Sequence, residues 1–124
     1  MLKVTDRAFA VLLLLFAAGH SLGSFQAYAF LTPELVWAIS ATAFAALLAV
    51  LNFVRAGRPD DRALAWICFG GSLAWVVLAL SFRVSIGNIL DPRADLHALA
   101  ALVLAVFSFL TAGRQPNRQT FAAA

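Results

Sequence analysis

Charge is what this sequence has least of. Asp, Glu, Lys and Arg make up 12% of the 124 residues, 63% are hydrophobic, and the mean hydropathy is +0.90. A soluble domain carries about 25% charged residues, so a chain this poor in them cannot present a polar surface to water on all sides. Cysteine is almost missing as well. Cys68 stands alone, which excludes an intramolecular disulfide and a cysteine-based metal cluster. It lies inside an apolar segment, where a thiol behaves as a small inert core residue. There is no Walker motif, no Gly-x-Gly-x-x-Gly and no His-Glu-x-x-His. No acidic residue falls in the middle of an apolar run, which removes the commonest coupling group of a small proton-driven exporter. The chain has the size of small multidrug transporters and fluoride channels and carries neither signature. The net charge of +3 is too small and too dispersed for a nucleic-acid protein.

What is present is apolar runs long enough to cross a membrane, which takes about 20 helical residues. The first run follows Lys3, Asp6 and Arg7 and predicts a span over about 8–29. Thr32, Pro33 and Glu34 then read as an N-cap, a first-turn proline and a first-turn acid, opening a second span over about 33–54. Arg55, Gly57, Arg58 and Pro59 close it. Asp60 and Asp61 open a third span over about 61–84, and Gly87 and Asn88 mark a break. Asp91 and Pro92 repeat the capped start, giving a fourth span over about 92–112 that Gly113 closes. Residues 113–124 read as a polar, loosely ordered tail. Short connections make consecutive helices antiparallel neighbours. The expected fold is an all-α, up-down-up-down four-helix bundle, with residues 1–124 as one membrane domain.

The basic residues are lopsided. Lys3, Arg7, Arg55, Arg58, Arg62, Arg114 and Arg118 fall at one membrane face, and Arg83 and Arg93 at the other. By the positive-inside rule both termini are expected in the cytoplasm. Trp37 and Trp66 fall near span ends, as interfacial belt residues do. A basic start before an apolar run resembles a signal peptide, but the run continues past the point of cleavage and reads as a permanent span.

Membrane helices pack through small residues and a few polar groups. Helical spacing groups these as Ala17, His20, Gly23, Ser24 and Ala27 in the first span, and Ala38, Ala41, Thr42, Ala45, Ala49 and Asn52 in the second. The third carries Cys68, Gly71, Ser72, Trp75, Ala79 and Arg83, and the fourth Ala94, His97, Ala101, Ser108 and Thr111. Leu, Val, Ile and Phe are left for lipid.

His20 and His97 are the most informative members. His20 lies about 20 Å along the helix from Arg7, and His97 about 8 Å from Pro92. Both therefore fall in the outer half, on inward faces of helices that neighbour each other. Ionisable groups there are costly and mark candidate sites. Three readings follow. The histidines are neutral and satisfy neighbouring helices. Alternatively, His20, Trp75, Arg83 and His97 line a pocket for a lipid headgroup or a quinone, whose carbonyl an imidazole or indole N–H can meet. Alternatively, His20 and His97 ligate one haem b. Against haem, adjacent close-packed helices leave no gap for the ring. Arg83 and Arg93 lie with Glu34, Asp91 and Asp95 at the outer rim, where ion pairs are expected rather than headgroup anchoring. A metal site is not expected, since Asp95 and His97 point to different faces. Gly19, His20, Ser21, Leu22 and Gly23 match the nucleophile-elbow pattern in print, but that motif needs a strand–turn–helix. Inside a membrane helix Ser21 is no nucleophile, and no catalytic residue is expected.

Gly19-His20-Ser21-Leu22-Gly23 in a first span followed by three short spans resembles small bacterial four-span proteins grouped with the DoxX-like membrane proteins. That resemblance implies oxidative metabolism and respiratory or redox partners, and it transfers no catalytic residue. The Ala-, Arg- and Leu-rich composition resembles that of a high-GC bacterium. The function expected is that of a small bacterial inner-membrane protein with a binding or accessory role, holding lipid or quinone or docking on a larger membrane complex. The rivals are a haem b redox protein and a purely structural subunit or homo-oligomer.

Overall fold

The computed structural model describes residues 2–113, and the expected tail, with Arg114 and Arg118, lies outside them. Among the described residues there are four helices and no strands: α1 (Leu2–Ala27), α2 (Pro33–Gly57), α3 (Arg62–Ser85) and α4 (Pro92–Ala112). All four are long and apolar enough to cross a membrane. The expected starts hold to within a residue for α2, α3 and α4. α1 begins well before residue 8, because the charged segment around Asp6 is itself helical and turns that carboxylate inward to α2.

The caps are those the sequence signals. Thr32 Oγ1 accepts from the Leu35 N–H at 3.4 Å, and Asp61 Oδ1 from the Leu64 N–H at 3.0 Å. Asp91 Oδ1 accepts from the N–H groups of Arg93 at 2.9 Å and Ala94 at 3.4 Å. These satisfy donors that a helix start leaves orphaned. At the other end of α4, Arg62 Nε donates to the Ala112 carbonyl at 3.0 Å, a cation placed where the helix dipole is negative. The turn before α4 uses Gly87 at φ +67°, a conformation that suits glycine.

The most extensive packing joins α1 to α2 and α3 to α4, and α1–α4 and α2–α3 contacts close the ring. α4 is the central element: 50% of its most apolar stretch is buried, against 22% in each other helix. Its inward face is built from Ala94, Ala98, Ala101 and Ala105, whose small side chains let neighbouring backbones approach. A middle layer of Leu13, Ala17, Ala45, Leu48, Ala101 and Leu104 is wholly apolar. Outside, Leu15, Leu22, Leu47, Val77 and Phe109 are exposed, the arrangement suited to a lipid surround.

The small-residue faces are largely as the spacing predicts, and the glycines are the exception. A Cβ on Gly71 would sit 3.0 Å from Leu48 Cδ1, whereas Gly19, Gly23 and Gly70 have nothing within 4 Å. Close packing therefore does not explain the glycines beside His20. At 3.6 residues per turn, Ser24 returns to the face of His20 while Gly23 points about 100° away from Ser24. Ala27 stands at the helix end and is exposed.

Candidate functional site

Polar side chains inside the bundle gather at two levels, separated by the apolar layer. Away from the termini, α1 contributes His20 and Ser24, α2 Thr42, α3 Trp75 and α4 His97. The His20 and His97 rings lie 6.2 Å apart between centroids and nearly perpendicular. Trp75 Nε1 donates to His97 Nδ1 at 3.3 Å. His20 Nδ1 lies 3.1 Å from Ser24 Oγ and 3.5 Å from Thr42 Oγ1. Phe16 packs on His97 with ring centroids 5.5 Å apart. His97 and Trp75 are buried, while His20 is half-buried.

Of the four residues expected to line a site, His20, Trp75 and His97 thus meet. Arg83 does not. It stands about 12 Å further along α3 than Trp75, and its Nη1 donates to Asp95 Oδ1 at 2.6 Å. Arg93 pairs with Asp91 at 2.6 Å in the same rim, so these arginines make the ion pairs expected of them. Asp91 is buried at the helix start, and the Arg93 guanidinium and the backbone N–H groups hold its carboxyl down at about 2.

The hydrogen-bond inventory changes what this cluster can offer a ligand. An indole N–H is a donor only, so it is spent on His97 and cannot meet a quinone carbonyl. A haem does not fit this packing either. Phe16 and Trp75 lie against the His97 ring, with centroids 5.5 and 5.6 Å away. α1 and α4 are direct neighbours, so a porphyrin would have to part them and displace both rings. Among the described residues no group of three or more His, Cys, Asp or Glu is placed to hold a metal ion. Ser21 lies in unbroken α-helix and lacks the setting of a nucleophile.

The second level, near the termini, is one that sequence reasoning missed. Arg55, expected to end a span at the membrane face, is 0% exposed. Its Nη2 donates to Asp6 Oδ1 at 2.5 Å, its Nη1 to Thr111 Oγ1 at 3.0 Å and its Nε to Asn52 Oδ1 at 3.3 Å. Asn52 Nδ2 donates to Ser72 Oγ at 3.3 Å, and Ser108 Oγ lies 3.0 Å from Asn52 Oδ1. All four helices are tied together by this network. A small cavity of about 40 Å³ beside it, lined in part by Lys3, Asp6, Arg55 and Thr111, has room for water. The signal was in the spacing: Asp6, Ala10, Leu13, Ala17 and Ser24 form one buried stripe, and extending it back through the polar start reaches Asp6.

Comparison with protein-family models, curated protein sequences and solved structures gives no match. The likeness to the DoxX-like proteins therefore rests on residues 19–23 and the hydropathy pattern alone.

Proposed function

We propose that this is a small multi-pass protein of a bacterial inner membrane that binds a membrane-soluble amphiphile, a lipid or a quinone-type molecule, between its helices at the end away from the termini. The observation that carries this reading is His20 Nε2. The other polar side-chain atoms of the cluster face one another or backbone carbonyls, but no hydrogen bond to this nitrogen is formed among the described residues. His20 is also half-buried where its companions Trp75 and His97 are closed off. A polar atom left open at membrane depth needs a partner, because the hydrocarbon supplies none.

The charge pattern supports termini on the cytoplasmic side. Arg55 drops out of the loop charges because it is buried, but Lys3, Arg7, Arg58 and Arg62 remain exposed at the terminal end. At the opposite end Arg83 and Arg93 are each paired with an aspartate. In a Cys68→Ser background, cysteine placed at Asn88 should label from the periplasmic side with a membrane-impermeant maleimide.

Co-purification tests the binding role. Small molecules extracted from the purified protein and from His20→Phe are compared by mass spectrometry, with Arg58→Ala as control. One species should be enriched severalfold over the surrounding membrane in wild type and control and lost in His20→Phe. Identical profiles in all three would remove the basis for a site.

A further inference from the structure

Resting on that reading, we infer that the site selects a ligand whose head donates a hydrogen bond, a hydroxyl on an apolar body such as a lipid alcohol or the reduced, hydroxyl form of a quinone, and rejects the same body ending in an ether or carbonyl oxygen, an oxidised quinone included. The argument is proton bookkeeping. Trp75 Nε1–H can only donate, so the His97 Nδ1 it meets at 3.3 Å must carry the lone pair. A neutral His97 then holds its proton on Nε2, and the Phe16 backbone accepts a hydrogen bond from His97. This imidazole is satisfied on both sides.

His20 is the opposite tautomer. Ser24 Oγ has one proton, and its shortest acceptor is the His20 carbonyl at 2.8 Å. Thr42 Oγ1 likewise donates to the Ala38 carbonyl at 3.2 Å. Both hydroxyls therefore turn lone pairs toward His20 Nδ1, at 3.1 and 3.5 Å. Nδ1 must be the protonated nitrogen, and Nε2 is left as a bare acceptor. His20 stays neutral for a geometric reason. The groups facing it are Ser24 on its own helix, Thr42 from α2 and the His97 ring from α4, with Trp75 of α3 behind His97. No carboxylate is among these, so a cation here would be uncompensated at membrane depth.

The cluster has thus consumed its own donors and kept one acceptor. A hydroxyl completes it. A carbonyl or ether oxygen would set lone pairs against the lone pair of Nε2. Both an aromatic hydroxyl and an aliphatic lipid hydroxyl have the required chemistry.

Probes that differ only in that proton test the inference without altering the protein. The wild-type chain in phosphatidylcholine nanodiscs is titrated with 4-heptylphenol and with its methyl ether, and in parallel with 1-dodecanol and dodecyl methyl ether. One hydrogen bond to a neutral acceptor should favour the hydroxyl by about tenfold. His20→Phe should bring the hydroxyl probe down to the affinity of its ether while helical circular dichroism is unchanged. Discrimination in the phenol pair alone identifies an aromatic head, and in the dodecyl pair a lipid hydroxyl. Ring ¹⁵N spectra of histidine-labelled protein should show proton-bearing Nδ1 at His20 and proton-bearing Nε2 at His97. If alcohol and ether bind equally but depend on His20, the donor inference falls and the binding site stands. If no probe binds saturably, the binding site falls with it. The reverse tautomers in the spectra overturn the inference by themselves.

Discussion

At the end that carries Asp6, one guanidinium holds the bundle together by charge; at the other end, two imidazoles and an indole do so with no net charge among them. The same four helices contribute at both levels. Each nitrogen of Arg55 has a protein partner and the side chain is sealed from its surroundings. The histidine level is half-open, and one nitrogen is left over. A charged group buried in a bundle is tolerable only when fully partnered, so the first level is a closed clasp. A neutral imidazole costs far less when one lone pair is unmet, so the second level can leave one acceptor unpaired. Stability is thus concentrated at one end, and the proposed ligand site lies at the other.

The strongest way to break that contrast is at Arg55. Arg55→Leu removes hydrogen bonds to Asp6, Asn52 and Thr111 at once and should cost about 3–5 kcal/mol, read by denaturant-induced unfolding in mixed micelles. Combining it with Asp6→Asn should recover part of the loss, because the buried carboxylate that has lost Arg55 is then neutral. An Arg55→Leu protein as stable as wild type would show that the clasp holds nothing.

Trp75→Phe probes the other level. It should cost about 1–2 kcal/mol for the buried hydrogen bond. It also frees His97 Nδ1 while the Phe16 backbone still holds the proton on Nε2, so the ring ¹⁵N signal of Nδ1 should shift with the tautomer kept. Preference for hydroxyl over ether ligands should survive, since His20 Nδ1 is fixed by Ser24 and Thr42 and not by the indole.

Adjacent glycines offer a smaller test of the packing between the levels. Gly70→Ala meets open space and should stabilise α3 by about 1 kcal/mol through helix propensity. Gly71→Ala must push against buried Leu48 and should gain less or lose stability. His20→Phe should change stability by less than about 1 kcal/mol while bringing a hydroxyl ligand down to the affinity of its ether, the converse of Arg55→Leu.

The smallest effect expected is one of pH at the rim. The folded carboxyl of Asp91 titrates at about 2, below the usual carboxylate value near 3.9. Its contribution is fully present above about pH 4 and is lost as the pH falls toward 2. Melting temperature should therefore drop over that window, and Asp91→Asn should flatten the drop.

The histidine cluster was legible because His20, Trp75 and His97 sit on small-residue faces and their depths follow from counting residues along each helix. Arg83 shared the face of Trp75 and was grouped with it, but a common face does not mean a common height. Arg55 was misread because its neighbours Gly57, Arg58 and Pro59 have the composition of a membrane boundary. A cation beside a glycine and a proline reads as a helix stop whether its side chain turns out to water or in to a carboxylate. Asp6 was overlooked for the same reason: it lies between Lys3 and Arg7, in a stretch that looks like a solvated flank.

By itself the sequence determined four apolar helices, their caps and their order, since helix length, capping chemistry and hydropathy are properties of each segment alone. It also set which faces carry polar groups. Only the tertiary structure decided which polar groups meet, and hence where each proton resides. A tautomer depends on whether the neighbour across the interface donates or accepts. The Trp75 indole and the Ser24 and Thr42 hydroxyls face the two histidines with opposite demands. That opposition leaves His20 Nε2 without a partner.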